Sequence, residues 1–376
     1  MNLKTKKIVI TGSNGFVGKN FINRLNQLEI SNYIEITKDA SESLLKSSIK
    51  DADVIFHFAG VNRSEKKDDF ESVNSNLTQR IANIIKEDDT KERLVILSSS
   101  LQVHKKGIYG ESKLAGENAL TTGLENTKSK YLIYRFTNIF GKWCRPNYNS
   151  VIATFCHNIS RGIEIKINDE NSMLKLLYIE DLIDQVLKDI ENKKLNEIIE
   201  ETEVEYSVSL GDLANTLVAF NESRNSLLVP DFSNLLVKKL YSTYLSYLPE
   251  DKFDYQVQCY NDDRGSLFEI AKSHQFGQIF FSTTNPGVTR GNHYHNTKVE
   301  KFIVVKGEAM IRFRHVMNNK VLEYKVAGSE ARIVDIPIGY THSIENIGNE
   351  ELCVIFCSNE IFDRDNPDTF FEEVIK

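Results

Sequence analysis

From Lys6 the chain runs through a β-branched apolar segment (Ile8, Val9, Ile10, Thr11), then Gly12, Gly15 and Gly18, then an amphipathic stretch lasting to Leu28. That pattern predicts a strand, a tight turn and a helix. Apolar runs recur at 33–37, 53–59, 93–99 and 131–136, and helical patterns at 69–86 and 109–124 lie between them. Strands alternating with helices imply right-handed βαβ crossovers and a parallel sheet, so the first part is expected to be a doubly wound α/β domain. After Pro230 a helical pattern rich in tyrosine (Tyr241, Tyr244, Tyr247) leads to Leu248-Pro249-Glu250-Asp251, and from Tyr255 short β-type runs alternate with turn residues. The expected boundary lies near residue 250, giving domains 1–250 and 251–376, the second a small all-β sandwich or barrel.

Composition narrows the function. The 376 residues carry 46 Lys and Arg against 53 Asp and Glu, a net charge of −7. Such a balance lacks the basic excess of a nucleic-acid binder or a polybasic membrane clamp, so small molecules are the expected partners. No apolar run approaches the roughly 18 residues of a membrane span. Gly12 and Ser13 interrupt the short apolar stretch after Lys7, and no small-residue cleavage site follows. Five cysteines, widely spaced and without a Cys-x-x-Cys pair, suit a reducing compartment. A cytoplasmic enzyme is the expected class.

Glycines after a first strand let the backbone turn tightly and approach a pyrophosphate, while the following helix presents free N–H groups to it. A dinucleotide is therefore expected at this turn. Further on, Tyr109-Gly-Glu-Ser-Lys113 opens a helical pattern behind the strand ending in Ser98-Ser99-Ser100. Spacing of four puts Tyr109 and Lys113 on one helical face, where an ammonium is expected to lower the phenol's pKa. A hydroxyl at the strand end would hold a substrate carbonyl.

These residues, over roughly 6–247, resemble the extended short-chain dehydrogenase/reductase family, a Rossmann-type fold. The resemblance implies that Gly12, Ser13, Asn14, Gly15, Phe16, Val17 and Gly18 bind NAD(P), with Phe58, Ala59 and Gly60 beneath it. It also implies that Ser100, Tyr109 and Lys113 are catalytic, the last two also touching the cofactor. Ser100 is preferred to Ser99 because it stands three residues before Val103, where the family's Ser or Thr stands. Arg135 with Asn138 and Phe140-Gly141, and Tyr178-Ile-Glu-Asp181, match the sugar-nucleotide branch, which makes Asn138 a candidate substrate contact. Two departures matter. Only eight residues separate Ser100 from Tyr109, so the substrate mouth is expected to be open or completed by another segment. Leu101 and Gln102 replace the Asp-Glu pair of the 4,6-dehydratases, which leaves reduction as the expected reaction. Lys38, after the second strand, favours the 2′-phosphate of NADPH, although Asp39 stands beside it.

The second part holds five of the eight histidines. His293 and His295 would face one side of a strand, Glu300 would reach them from the next strand, and His342 follows. Imidazoles with one carboxylate suit a divalent ion, zinc first. The intervals resemble both motifs of the cupin (jelly-roll) family, with Gly287, Gly307, Pro337-Ile-Gly339 and Asn346 in place and Ala331 where the family has Gly. Asp263-Arg264-Gly265 looks like the start of the cupin-type deoxysugar epimerases.

A short-chain reductase followed by a cupin resembles the two-domain enzymes of capsular polysaccharide biosynthesis, notably at 141–150, 240–249 and 291–295. The resemblance implies a bifunctional enzyme of UDP-N-acetyl-L-fucosamine synthesis. Its cupin would epimerise C3 of a UDP-activated 4-keto-6-deoxy-N-acetylhexosamine, and its reductase would reduce C4 with NADPH to UDP-2-acetamido-2,6-dideoxy-L-talose. A C4 ketone acidifies C3–H and reduction destroys it, so epimerisation comes first. Candidates for the C3 base are His342, Tyr340, Lys298 and a metal-bound hydroxide; Arg290 and Arg312 are candidates for the diphosphate. A homodimer through the cupin is expected. Two competing readings are a monofunctional 4-ketoreductase with a structural, dimerising cupin, and a cofactor-sensing protein without activity, which the intact Tyr109 and Lys113 disfavour.

Overall fold

The structure is a computed structural model; it describes every residue except Glu65, Lys193 and Lys194, and the side chain of Lys67. The chain divides into two compact units, Met1–Val218 with Lys239–Pro249, and Ala219–Lys238 with Glu250–Lys376. The segment 219–238 thus joins the second unit, whereas the sequence pattern put it in the first.

In the first unit the elements run β1 (Ile8–Thr11), α1 (Phe16–Gln27), β2 (Tyr33–Ile36), α2 (Glu42–Asp51), β3 (Val54–His57), α3 (Lys67–Phe70), α4 (Leu77–Glu87), β4 (Leu94–Ser100), α5 (Ile108–Leu124) and β5 (Lys130–Phe136). There follow β6 (Asn138–Phe140), α6 (Val151–Ile159), β7 (Met173–Tyr178), α7 (Ile179–Glu191), β8 (Glu197–Ile199), β9 (Tyr206–Ser209), α8 (Leu210–Ser226) and α9 (Leu235–Leu245), the last two helices running across unit boundaries. A parallel six-stranded sheet has the order β2-β1-β3-β4-β5-β8. Side chains alternate between its faces. Ile8, Ile10, Val54 and Phe56 pack with Phe21 and Leu25 of α1 and Leu182, Ile183 and Val186 of α7. Val9, Ile55 and Val95 pack with Leu45 and Ile49 of α2, Ile81 and Ile85 of α4 and Leu120 of α5. Each such buried side chain contributes roughly 1.5–3 kcal/mol relative to exposure. Strand order reverses between β1 and β3, and ligands of such sheets bind in the crevice beyond the carboxyl ends at that point.

Two elements depart from the sequence pattern. Helix α2 was not foreseen, although Ser41 caps it by accepting from Leu44 N. The single helix expected over 69–86 is α3, a π turn over Glu71–Asn76, and α4. A π turn inserts a residue into the helical repeat, a device frequent at functional sites. Here it packs beside α5 and carries Asn74 inward.

The second unit contains β10 (Cys259–Asp262), β11 (Gly265–Ser273), β12 (Gly277–Thr284), β13 (Thr289–Tyr294), β14 (Glu300–Lys306) and β15 (Glu308–His315). It continues with β16 (Val321–Ala327), β17 (Ile333–Ile336), β18 (Tyr340–Asn346), β19 (Leu352–Ser358) and β20 (Phe370–Phe371). They form two antiparallel sheets, β10-β11-β12-β19-β14-β17 and β16-β15-β18-β13-β20, the jelly-roll arrangement of a cupin. Phe302, Val304, Ile311, Phe313, Ile344, Val354 and Phe356 fill the space between them. No helix among the described residues is long and apolar enough to cross a membrane.

Candidate functional site

The glycine turn is built as a cradle. Gly12 has φ +71°, and a Cβ there would stand 2.6 Å from Ala59 N and 2.7 Å from its Cα. Only glycine accepts both the left-handed backbone and this approach of β1 to the chain leaving β3. Gly15 precedes α1 with no side-chain cap, and Ser13 Oγ, fully buried, has no partner among the described residues. Unclaimed donors at a helix N-terminus beside a buried free hydroxyl suit a phosphate-bearing dinucleotide. Phe58 contributes its backbone to this cradle, because its ring lies in the core against Phe21 and Phe56. Phe16 and Val17 likewise pack against that core, while Lys38 stands exposed in the turn after β2.

Beyond the cradle lie the three expected catalytic side chains. Ser100 lies close enough to the Tyr109 phenol to lower its pKa and also caps Gln102 N, whereas the Ser99 hydroxyl donates to buried Glu117 at 2.5 Å. Lys113 is buried, its Nζ donating to Ser98 O at 3.0 Å and lying where a Cβ on Gly60 would be, 2.8 Å away. Burial lowers the Lys113 ammonium to about 8, with Glu117 opposing. The expected lowering of Tyr109 by Lys113 is not found. Burial pushes the phenol above its ordinary value, Ser100 pulls it back, and Lys113 is not among the groups that act on it. The ammonium is directed at Ser98 O and Gly60 instead.

Several supporting residues escaped the sequence reading. Asn74 clamps Val61 through both its N–H and C=O and donates to Ser112 Oγ, which in turn donates to Tyr109 O. His57 is fully buried between Thr11 Oγ1 (2.6 Å) and Thr78 Oγ1 (2.8 Å), and burial first, then Lys113, lowers its pKa to about 3. Arg135 of β5, already singled out in the sequence, pairs with Glu117 and Glu200. Glu117 follows Lys113 by one helical turn and could have been read from that spacing. A pocket of about 390 Å³ is lined by Arg63, Tyr148 and Ser150 among others. Tyr148 is also close enough to Tyr109 to raise its pKa. Asn138, expected at the substrate, donates to Lys175 O from an exposed position.

In the second unit His293, His295, Glu300 and His342 converge, their potential ligand atoms all within 4.8 Å of one another. Strand β13 pairs with β18 so that His293 faces His342, with a bulge between Gly291 and His293. Gly291, φ +100°, permits that pairing, since a Cβ would stand 2.7 Å from His342 O. His295 lies just past the end of β13, and Glu300 comes from the next strand, β14, which belongs to the opposite sheet. Glu300 Oε2 is 3.6 Å from His295 Nε2 and 3.5 Å from His342 Nε2. Burial alone would raise the Glu300 carboxyl, but the His295 and His342 rings beside it hold it well below the usual range. Burial lowers His293 to about 4, with His342 and His295 adding to it. Among the described residues the Nε2 atoms of His295 and His342 are buried without hydrogen-bond partners. Three imidazoles and one carboxylate, with ring nitrogens left unpartnered, fit a divalent cation.

Lys298 is buried 3.9 Å from Glu300 and donates to Thr369 Oγ1. Tyr340 shares the inner face of β18 with His342, its ring edge against His315. Arg290 is held by Thr284 Oγ1 and Thr283 O, with Asp262 at 3.6 Å. Arg312 departs from expectation. It pairs with Glu323 and Glu345 on the sheet's outer face, opposite Ile311 and Phe313, and so lies away from the metal cluster.

A phosphate-binding crevice with a Tyr-Lys helix, followed by a jelly roll with a buried His/Glu cluster, defines a short-chain reductase-type enzyme joined to a cupin. The chain belongs to the NAD dependent epimerase/dehydratase family, whose sequence model matches residues 8–200, and a nicotinamide is that family's cofactor. Residues 260–370 match the Polysaccharide biosynthesis C-terminal domain. At the level of individual proteins, the chain is 41% identical to the UDP-2-acetamido-2,6-beta-L-arabino-hexul-4-ose reductase of Pseudomonas aeruginosa over 97% of this chain and 98% of that protein. It is 43% identical to the capsular polysaccharide assembling protein CapF of Staphylococcus aureus, with a TM-score of 0.91 over 98% of this chain and all of the other. A second CapF structure, with the inhibitor 3-isopropenyl-tropolone, is 40% identical with a TM-score of 0.86 over 98% and 99% of the two chains.

Proposed function

We propose that this chain is a bifunctional UDP-sugar enzyme of capsule biosynthesis: its cupin epimerises C3 of a UDP-2-acetamido-2,6-dideoxy-4-hexulose, and its reductase domain then reduces C4 with NADPH. The reading is supported by one observation above others. Both sets of chemical groups are intact in the same chain, the Ser100–Tyr109 pair beside Lys113 and the four-residue ligand cluster with its unpartnered ring nitrogens. The name of the Pseudomonas relative, a reductase of a hexul-4-ose, supports the second step and the substrate class.

At the cupin, a divalent cation held by His293, His295, Glu300 and His342 would supply charge stabilisation to the enolate oxygen at C4. A base removes the C3 proton, the electron pair moves into the C3–C4 enolate, and an acid returns a proton to the opposite face. With His342 in the ligand cluster, Lys298 and Tyr340 are the chain's own groups for these transfers. At the reductase, a reduced nicotinamide in the glycine cradle would supply the hydride for C4. Tyr109 gives its phenolic proton to O4, Ser100 orients the carbonyl, and buried Lys113 holds positive charge beside Gly60 at the cofactor face. Lys38, exposed and just past β2, supports NADPH over NADH. The product is UDP-2-acetamido-2,6-dideoxy-L-talose.

The reading is tested by supplying the purified protein with the 4-keto UDP-sugar and following nicotinamide oxidation with NADPH and with NADH. It requires faster turnover with NADPH, loss of turnover in Tyr109→Phe, and a weakened NADPH preference in Lys38→Glu. Equal turnover of Tyr109→Phe would overturn the reductase assignment.

A further inference from the structure

The segment that follows β19 returns to the histidine cluster and is fastened there at many points. The Asp368 carbonyl accepts the Nδ1 proton of His295 at 2.5 Å. Its carboxylate accepts from Asn296 N, Thr297 N, Thr297 Oγ1 and Lys298 N, at 2.6 to 3.1 Å. Thr369 Oγ1 takes the Lys298 ammonium at 3.1 Å. Strand β20 then pairs with β13 at His293 and Tyr294. Arg314, 1% exposed, locks the end of the chain through Glu372, Glu373 O and Val374 O.

A carbonyl oxygen only accepts, so this bond places the proton of a neutral His295 on Nδ1 and leaves the lone pair on Nε2, the nitrogen that faces Glu300. The outer hydrogen bond of a ligating histidine sets both its tautomer and its ring orientation. The carboxylate of the same residue gathers the N–H groups of 296–298, which fixes where that carbonyl stands and where Lys298 leaves the backbone.

We propose that Asp368 is a positioning residue of the metal centre: it holds His295 in the tautomer that ligates through Nε2 and sets the turn that places Lys298 beside Glu300. The inference rests on the metal reading above. None of the cupin ligand motifs contains Asp368, which is 73 residues from His295 in sequence.

The test compares wild type, Asp368→Ala, Asp368→Asn and, as a charge-matched control, Glu350→Ala, whose carboxylate pairs with Lys306 at the surface. Each protein is stripped with a chelator. Its zinc affinity is then measured by competition with a chromophoric chelator, the visible spectrum is recorded with cobalt(II), and melting is followed with and without zinc. Asp368→Ala is expected to bind zinc about 10- to 100-fold more weakly, as loss of outer-shell partners does. Its cobalt spectrum should change and its melting temperature should rise less on zinc addition, with Asp368→Asn between it and wild type and Glu350→Ala unchanged. Should Asp368→Ala not fold, Asp368→Asn carries the same comparison. Wild-type zinc affinity in both Asp368 variants, with metal-free and loaded forms losing equal melting temperature, would mean a purely structural clamp and overturn the proposal. Failure of wild type itself to bind zinc would overturn the metal reading instead.

Discussion

Substituting Gly60 with alanine tests the role of Lys113 without touching Lys113. The backbone at Gly60 is not left-handed, so alanine adds no conformational strain, and the nearest atom to the new Cβ is Lys113 Nζ at 2.8 Å. Reaching ordinary contact of about 3.4 Å requires the ammonium to shift by about 0.6 Å. Asn74 Oδ1, at 3.2 Å, must also give slightly. We expect that shift to disturb the 3.0 Å bond to Ser98 O. A hydrogen bond to a charged group is worth about 1.5–3 kcal/mol, an upper bound here because a lysine end can readjust. If half of that is lost from the transition state, kcat for reduction falls by roughly 4- to 13-fold. Stability should fall by about 1–2 kcal/mol. NADPH oxidation read at saturating substrate, alongside a thermal melt and C3 proton exchange, separates these effects. An unchanged kcat in a folded Gly60→Ala protein would refute the placement of Lys113, and a parallel fall in C3 exchange would reveal general damage instead.

Ser100→Ala should lower kcat for reduction roughly 10- to 100-fold with little loss of stability, because its hydroxyl meets the Tyr109 phenol; Ser99→Ala should do the reverse, leaving buried Glu117 short of a donor at a cost of about 1–3 kcal/mol. Kinetics and melts on the pair decide between the two serines. His57 supplies a pH dependence: above its ordinary value of 6.5 both folded and unfolded states are neutral, and below it the unfolded state takes a proton that the buried ring refuses until about pH 3. Stability of the first unit should therefore fall by about 2 kcal/mol between pH 7 and pH 5, a slope that denaturant titrations of His57→Gln should lack.

The glycine turn, the Tyr109–Lys113 spacing and the histidine intervals were legible because each is a local pattern whose chemistry depends on near neighbours. The alternation of strand and helix likewise announced the parallel sheet, since the crossover needs both. What depends on distant partners was not legible. Arg312 turns outward because β15 register puts Ile311 and Phe313 inward, and Asp368 arrives from the far end of the chain. The π turn at Glu71–Asn76 leaves no mark in a hydrophobic repeat that reads equally well as one helix. The Tyr109 phenol was misjudged because sequence spacing gives proximity along a helix, whereas the Lys113 ammonium follows its hydrogen bond to Ser98 O. Residues 219–238 show that helical periodicity says nothing about which unit a helix packs into.

Exchange at C3 separates the two chemistries. The protein is given the 4-keto-6-deoxy UDP-HexNAc substrate in deuterated water without NADPH, and the C3 proton is followed by NMR in wild type, His295→Ala and Tyr109→Phe. We expect the C3 signal to disappear with wild type and with Tyr109→Phe and to persist with His295→Ala, placing epimerisation at the cupin and reduction at Tyr109. Persistence of the signal with wild type, while NADPH is still consumed once added, would contradict the bifunctional reading and leave a reductase with a structural cupin.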